Sequence, residues 1–116
     1  MNVVMVQGTL SRAPEVKVLP SGDRLVAYEV TVREEGQKTE SVPVVWFDAP
    51  PRSAELGSGT EVVVLGRVRR RFFRTPGGTG SRTEVVAESV TVARQRKRVA
   101  GAIASAMSVL ADHAEG

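Results

Sequence analysis

Along most of this chain apolar and polar residues alternate with the period of two that marks β-strands, and that period changes only near the end. The alternation is clearest from Leu25 to Val32. Val26, Tyr28, Val30 and Val32 fall on one side and Ala27, Glu29 and Thr31 on the other, as in a half-buried strand. Asn2 to Leu10 is apolar and β-branched and breaks at Ser11 to Pro14. Glu15 to Leu19 then continues extended as far as the turn chemistry of "PSGD" at Pro20 to Asp23. Arg33 to Ser41 is a polar loop, and Val42 to Phe47 is the next strand, where Pro43 predicts an edge or a bulge. The stretch from Asp48 to Gly59 has room for a helix of at most about two turns, begun at Pro51 and stopped by Gly57 and Gly59. Thr60 to Arg74 and Arg82 to about Val92 predict two long strands joined by "TPGGTG" as a β-hairpin.

After Ala93 the period becomes helical. "RQRKR" leads into an alanine-rich segment with Val99, Ile103, Ala106 and Leu110 on one side, which predicts a helix of about four to five turns. A stripe of such small residues is expected to pack on the barrel or on another subunit. Strand, extended segment, strand, strand, short helix, long strand, strand is the order of an OB-fold, a five-stranded Greek-key barrel. The expected division is an OB-fold domain over residues 1–93, with a basic helical extension over 94–116. At 116 residues the chain holds one core.

Charge sharpens the picture. The formal net charge is +3, with 16 Lys and Arg, and ten of those lie in two short segments. One cluster is Arg94, Arg96, Lys97 and Arg98. The other is the hairpin, with Arg67, Arg69, Arg70, Arg71, Arg74 and Arg82 around two adjacent phenylalanines in a chain that has three in all. Such clustering points to a polyanionic partner. Strand alternation puts Val62, Val64, Gly66, Val68, Arg70 and Phe72 in one set, and Val63, Leu65, Arg67, Arg69, Arg71 and Phe73 in the other. The first set is the more apolar, so Phe72 is expected in the core. Phe73 is then exposed among guanidinium groups, where a base can stack on the ring while arginines neutralise phosphates. Val63 and Leu65, on the exposed set, are expected to need cover from a second subunit.

These segments resemble the bacterial single-stranded DNA-binding protein (SSB) family over roughly Asn2 to Val92. The matching pieces, in order, are "NVVMVQGTL", "APEVK", "PSGDRLVAYEVTV", "VVWF", "GSGTEVVVLGRVRRRFF" and "TEVVA". The resemblance implies an OB-fold and non-catalytic, largely sequence-independent binding of single-stranded DNA in replication, repair or recombination. It puts Phe73 at the family's stacking aromatic on the fourth strand and Phe47 at a DNA-contacting aromatic. Arg67, Arg69 and Arg71, with Arg74 and Arg82, lie on the hairpin that holds the strand, whereas Trp46 reads as core. Two other stacking positions of the family fall near Gln37 and Ser41, which cannot stack. The family's acidic, aromatic-tipped tail has no counterpart in "DHAEG", so recruitment of replication enzymes through such a tail is not expected. A homo-oligomer is expected, a tetramer first and a dimer next.

Two other readings are consistent with the residues: an RNA-binding OB-fold, and an assembly module that docks a partner through the C-terminal helix. An enzyme is not expected. The single histidine, His113, cannot complete a catalytic triad or a metal site alone, "PGGTG" lacks the lysine of a P-loop, and there is no cysteine. No cofactor or metal is expected. No signal peptide or apolar span is evident, so the expected location is cytoplasmic and nucleoid-associated, with no membrane partner.

Overall fold

In the computed structural model, which describes residues 1–115, the alternating segments form six strands. They are β1 (Val4–Leu10), β2 (Glu15–Val18), β3 (Arg24–Val32), β4 (Glu40–Phe47), β5 (Glu61–Thr75) and β6 (Gly78–Val92). A single 3₁₀ turn spans Pro51–Ala54, and helix α1 spans Arg96–Glu115. The sheet runs β1-β5-β6-β4-β3-β2, and β1 also pairs with β3 through Thr9 with Thr31 and Leu10 with Val30, which closes the ring. β1 and β2 both lie along β3, separated by the polar break. Taken as one bent strand, they complete the five-stranded OB barrel that the sequence predicts. Pro43 lies one residue before β4 begins its parallel pairing with β6 at Val44 and Val85, where a missing N–H is tolerated.

Leu10, Val26, Tyr28, Val30, Val44, Val62, Val64, Val85 and Ala87 meet inside the ring, with Trp46 packed against them as half-buried core. Each fully buried valine or leucine there contributes roughly 1.5–3 kcal/mol of transfer free energy. The Tyr28 hydroxyl donates to the Ser53 carbonyl at 3.0 Å and fastens the 3₁₀ turn over the end of the barrel. Burial pushes its phenol above the ordinary value of 10.0. Tyr28→Phe leaves that carbonyl without its donor and is expected to destabilise the fold by about 1–3 kcal/mol, read from denaturant unfolding.

Two expectations are corrected. Val63 and Leu65 are each only 6% exposed, so their cover comes from within the chain. α1 packs against β5 and β6, and Val63 lines a cleft with Val92 and Val99 at the start of the helix. The docked side of α1 is Val99, Ala102, Ala106 and Leu110, all half-buried, whereas Ile103 is exposed. Val99, Ala106 and Leu110 keep the expected side, and Ala102 takes the place of Ile103 on it. At 20 residues the helix is slightly longer than expected. Among the described residues no helix is long and apolar enough to cross a membrane.

Candidate nucleic-acid interface

β1 pairs with β5 only as far as Gly66, β4 pairs with β6 at Val85 and Val86 opposite Val68 and Arg67, and beyond these β5 and β6 continue as a two-stranded arm. The departure is built from three features. A bulge lies between Leu65 and Gly66. A Cβ at Gly66 would lie 2.1 Å from the Val86 carbonyl oxygen, so only glycine fits against β6 there. The Asn2 side chain then replaces one more residue of strand, donating to the Val68 carbonyl at 2.6 Å and accepting from the Val68 N–H at 2.9 Å. From Arg69 outward no third strand pairs with the arm among the described residues.

On one face of the arm stand Arg67, Arg69, Arg71 and Phe73, and their partners on β6 are Val86, Glu84, Arg82 and Gly80. Glu84 is only 2% exposed and is paired with both Arg69 and Arg71, the latter with Nε at 3.3 Å from Oε1. The Arg69 guanidinium lies 5.5 Å from the centroid of the Phe47 ring, and that of Arg71 lies 5.7 Å from the centroid of Phe73. The result is a row of ring, guanidinium, carboxylate, guanidinium and ring across β4, β5 and β6. Each ring–cation contact is worth roughly 0.5–1 kcal/mol in a partly exposed setting. The Phe73 ring lies over Gly80, where a Cβ would come within 2.7 Å of its Cε2.

The face therefore brings together Phe47, Phe73, Arg67, Arg69, Arg71 and Arg82. Arg74 is not among them, because alternation turns it to the other side of the arm with Arg70 and Phe72. The core assignment of Phe72 is overturned, since it is 67% exposed against 39% for Phe73. It does share a face with Val62 and Val64, but the barrel interior ends near Gly66 and the arm carries that face into solvent. Phe72→Ala is accordingly expected to change stability by less than about 0.5 kcal/mol in thermal melts, as for an ordinary surface site.

Sequence reasoning missed Glu84, Gly80, Arg12 and Lys17. Arg12 and Lys17 line a narrow cleft with Arg71, Arg82 and Glu84, between β2 and the base of the arm. Arg12 is also paired with Glu29 at 3.2 Å. The face as a whole offers two aromatic rings, a set of fixed guanidinium groups and flanking cations. It can stack planar groups and neutralise a chain of anions.

Comparison with known proteins agrees with this chemistry. The family model described as "Single-strand binding protein family" matches residues 1–93. The chain is similar to the protein named "Single-stranded DNA-binding protein" of Deinococcus radiodurans, at 32% identity over 77 residues. That stretch covers 59% of this chain and 26% of the relative, so the chain spans about a quarter of the relative's length.

Proposed function

The chain belongs to the single-strand binding protein family, and we propose that it binds single-stranded DNA without catalysis and largely without regard to sequence. Bases stack on Phe47 and Phe73, and Arg67, Arg69, Arg71 and Arg82 line the path of the phosphates, with Arg74 adding charge from the far side of the arm. The observation that carries this reading is the placing of two separate rings, each backed by a guanidinium, in one row on an exposed strand face. A ring face stacks with any base, which suits a binder that coats whatever strand replication, repair or recombination exposes. The test is a titration of labelled oligothymidylate over a salt series. Log affinity is expected to fall linearly with log salt as counterions are released, and binding that ignores salt would contradict it.

The protein acts as a homo-oligomer in this reading. Support comes from β1, whose residues Val4 to Gly8 are paired on one edge only among the described residues. The outer side there presents Met1, Val3 and Met5, all exposed. An unpaired apolar edge of this kind invites pairing with a second copy. Light scattering at micromolar concentration is expected to give at least a dimer mass, and Met5→Lys is expected to shift it toward the monomer.

A further inference from the structure

We infer that Glu84 is a positioning residue that divides the arginines of the hairpin into two groups, a clamped pair that holds the aromatic rings and a free set that meets phosphates. The inference rests on the single-strand reading above and deepens it.

Glu84 is 2% exposed on a surface that otherwise carries cations, and burying an ionised carboxylate is unfavourable unless it is paired. It is paired twice, with Arg69 and Arg71. Those same two arginines are the ones stacked on Phe47 and Phe73. Among the described residues Arg67, Arg70, Arg74 and Arg82 make no salt bridge, and Arg70 bonds only the Ser81 hydroxyl, at 3.0 Å. The Arg69 guanidinium bonds Glu84 through Nη2, while its enclosed Nε has no hydrogen-bond partner among the described residues.

Two consequences follow. Arg69, Arg71 and Glu84 together carry one net positive charge, so as a unit they replace about one counterion rather than two. The guanidinium planes are also fixed before DNA arrives, which keeps each ring in position and leaves its open face to a base. Rings ordered in advance lose less freedom on binding. Without Glu84 the two arginines are free to leave the rings and reach phosphates.

The test uses Glu84→Gln, which keeps shape and removes charge, and reads oligothymidylate affinity across a salt series. Two released arginines neutralise one more phosphate, so the slope of log affinity against log salt becomes steeper by about 0.7, the single-strand increment per phosphate. At high salt, where stacking dominates, affinity falls by about fivefold, the lower end of what one stacked base contributes. The two curves therefore cross or converge toward low salt. Glu84→Asp, which keeps the charge, restores the natural slope. A Glu84 that merely stabilised the fold would lower the melting temperature and leave the slope alone, and that result overturns the inference.

A second comparison decides the matter even where Glu84→Gln fails to fold. The triple variant Arg69→Gln, Arg71→Gln, Glu84→Gln is expected to flatten the slope by about 0.7, and Arg67→Gln with Arg82→Gln by about 1.4. Equal flattening by the two sets overturns the division of the arginines. Should the unaltered protein show no salt-dependent binding to oligothymidylate, the parent reading fails. Should it bind as expected while Glu84→Gln or the triple variant departs from these values, only the role of Glu84 fails.

Discussion

Removing both rings, Phe47→Ala with Phe73→Ala, is expected to weaken binding of oligothymidylate by about 2–6 kcal/mol, from about 1–3 kcal/mol per stacked base. That per-base magnitude comes from single-strand binders of this kind and is not specific to this chain. Each single variant should lose about half of the total, because the rings lie on different strands and share no partner atom: Phe47 is backed by Arg69 and Phe73 by Arg71. Stability should change little for Phe73, which stands on the arm beyond the barrel interior. The rings touch bases and not phosphates, so the loss should be of similar size at low and high salt, with the salt slope nearly unchanged. Titration at two salt concentrations, with a thermal melt of each variant, checks all three points. If affinity at high salt is unaltered, the arginines alone bind the strand and the rings are not a platform.

The second large effect separates two glycines of the same hairpin. Gly66→Ala is expected to destabilise the fold by several kcal/mol, beyond the roughly 1–3 kcal/mol of ordinary overpacking. The atom its Cβ would meet, the Val86 carbonyl oxygen at 2.1 Å, belongs to the backbone and cannot swing aside. Gly80→Ala also introduces a close contact, at 2.7 Å, but with the Phe73 ring, which can turn away. Stability should therefore hold while the ring is displaced from its seat and DNA affinity falls. Denaturant unfolding and oligonucleotide titration on both variants should give opposite patterns. The same pattern in both would show that Gly80 and Phe73 do not form a seat.

Much of this was legible in the sequence, and the exceptions have physical causes. Alternation from Leu25 to Val32 placed Val26, Tyr28 and Val30 inward, where they are buried. Charge clustering pointed to the hairpin, and the structure gathers Arg67, Arg69, Arg71 and Arg82 on one face of it. Phe72 was misread because alternation reports which face a residue occupies and not where the barrel ends, and that end depends on how far β1 runs along β5. Val63 and Leu65 were misread because their cover comes from distant parts of the chain, with the helix start beside Val63, and such contacts leave no local signature. Glu84 and Gly80 had a signal that the loose reading of "TPGGTG" hid. The strands turn at a two-residue loop, Pro76 and Gly77, so Thr75 pairs with Gly78. Counting back from that loop sets Gly80 against Phe73 and Glu84 against Arg69. Arg12 and Lys17 reach the same face only because the sheet closes, which no short stretch of sequence encodes.

The proposed single-strand surface of arm and barrel has rings that need unstacked bases to work. It is tested most directly by competition against a bound, labelled oligothymidylate, using unlabelled oligothymidylate, a DNA duplex of equal length and a matched RNA at one salt concentration. Single-stranded DNA is expected to displace the label efficiently, with the duplex far weaker because its bases are not free to stack on Phe47 and Phe73. A duplex that competes as well as the single strand would reduce the surface to a patch of positive charge, and RNA that competes better than DNA would move the function to the other polymer.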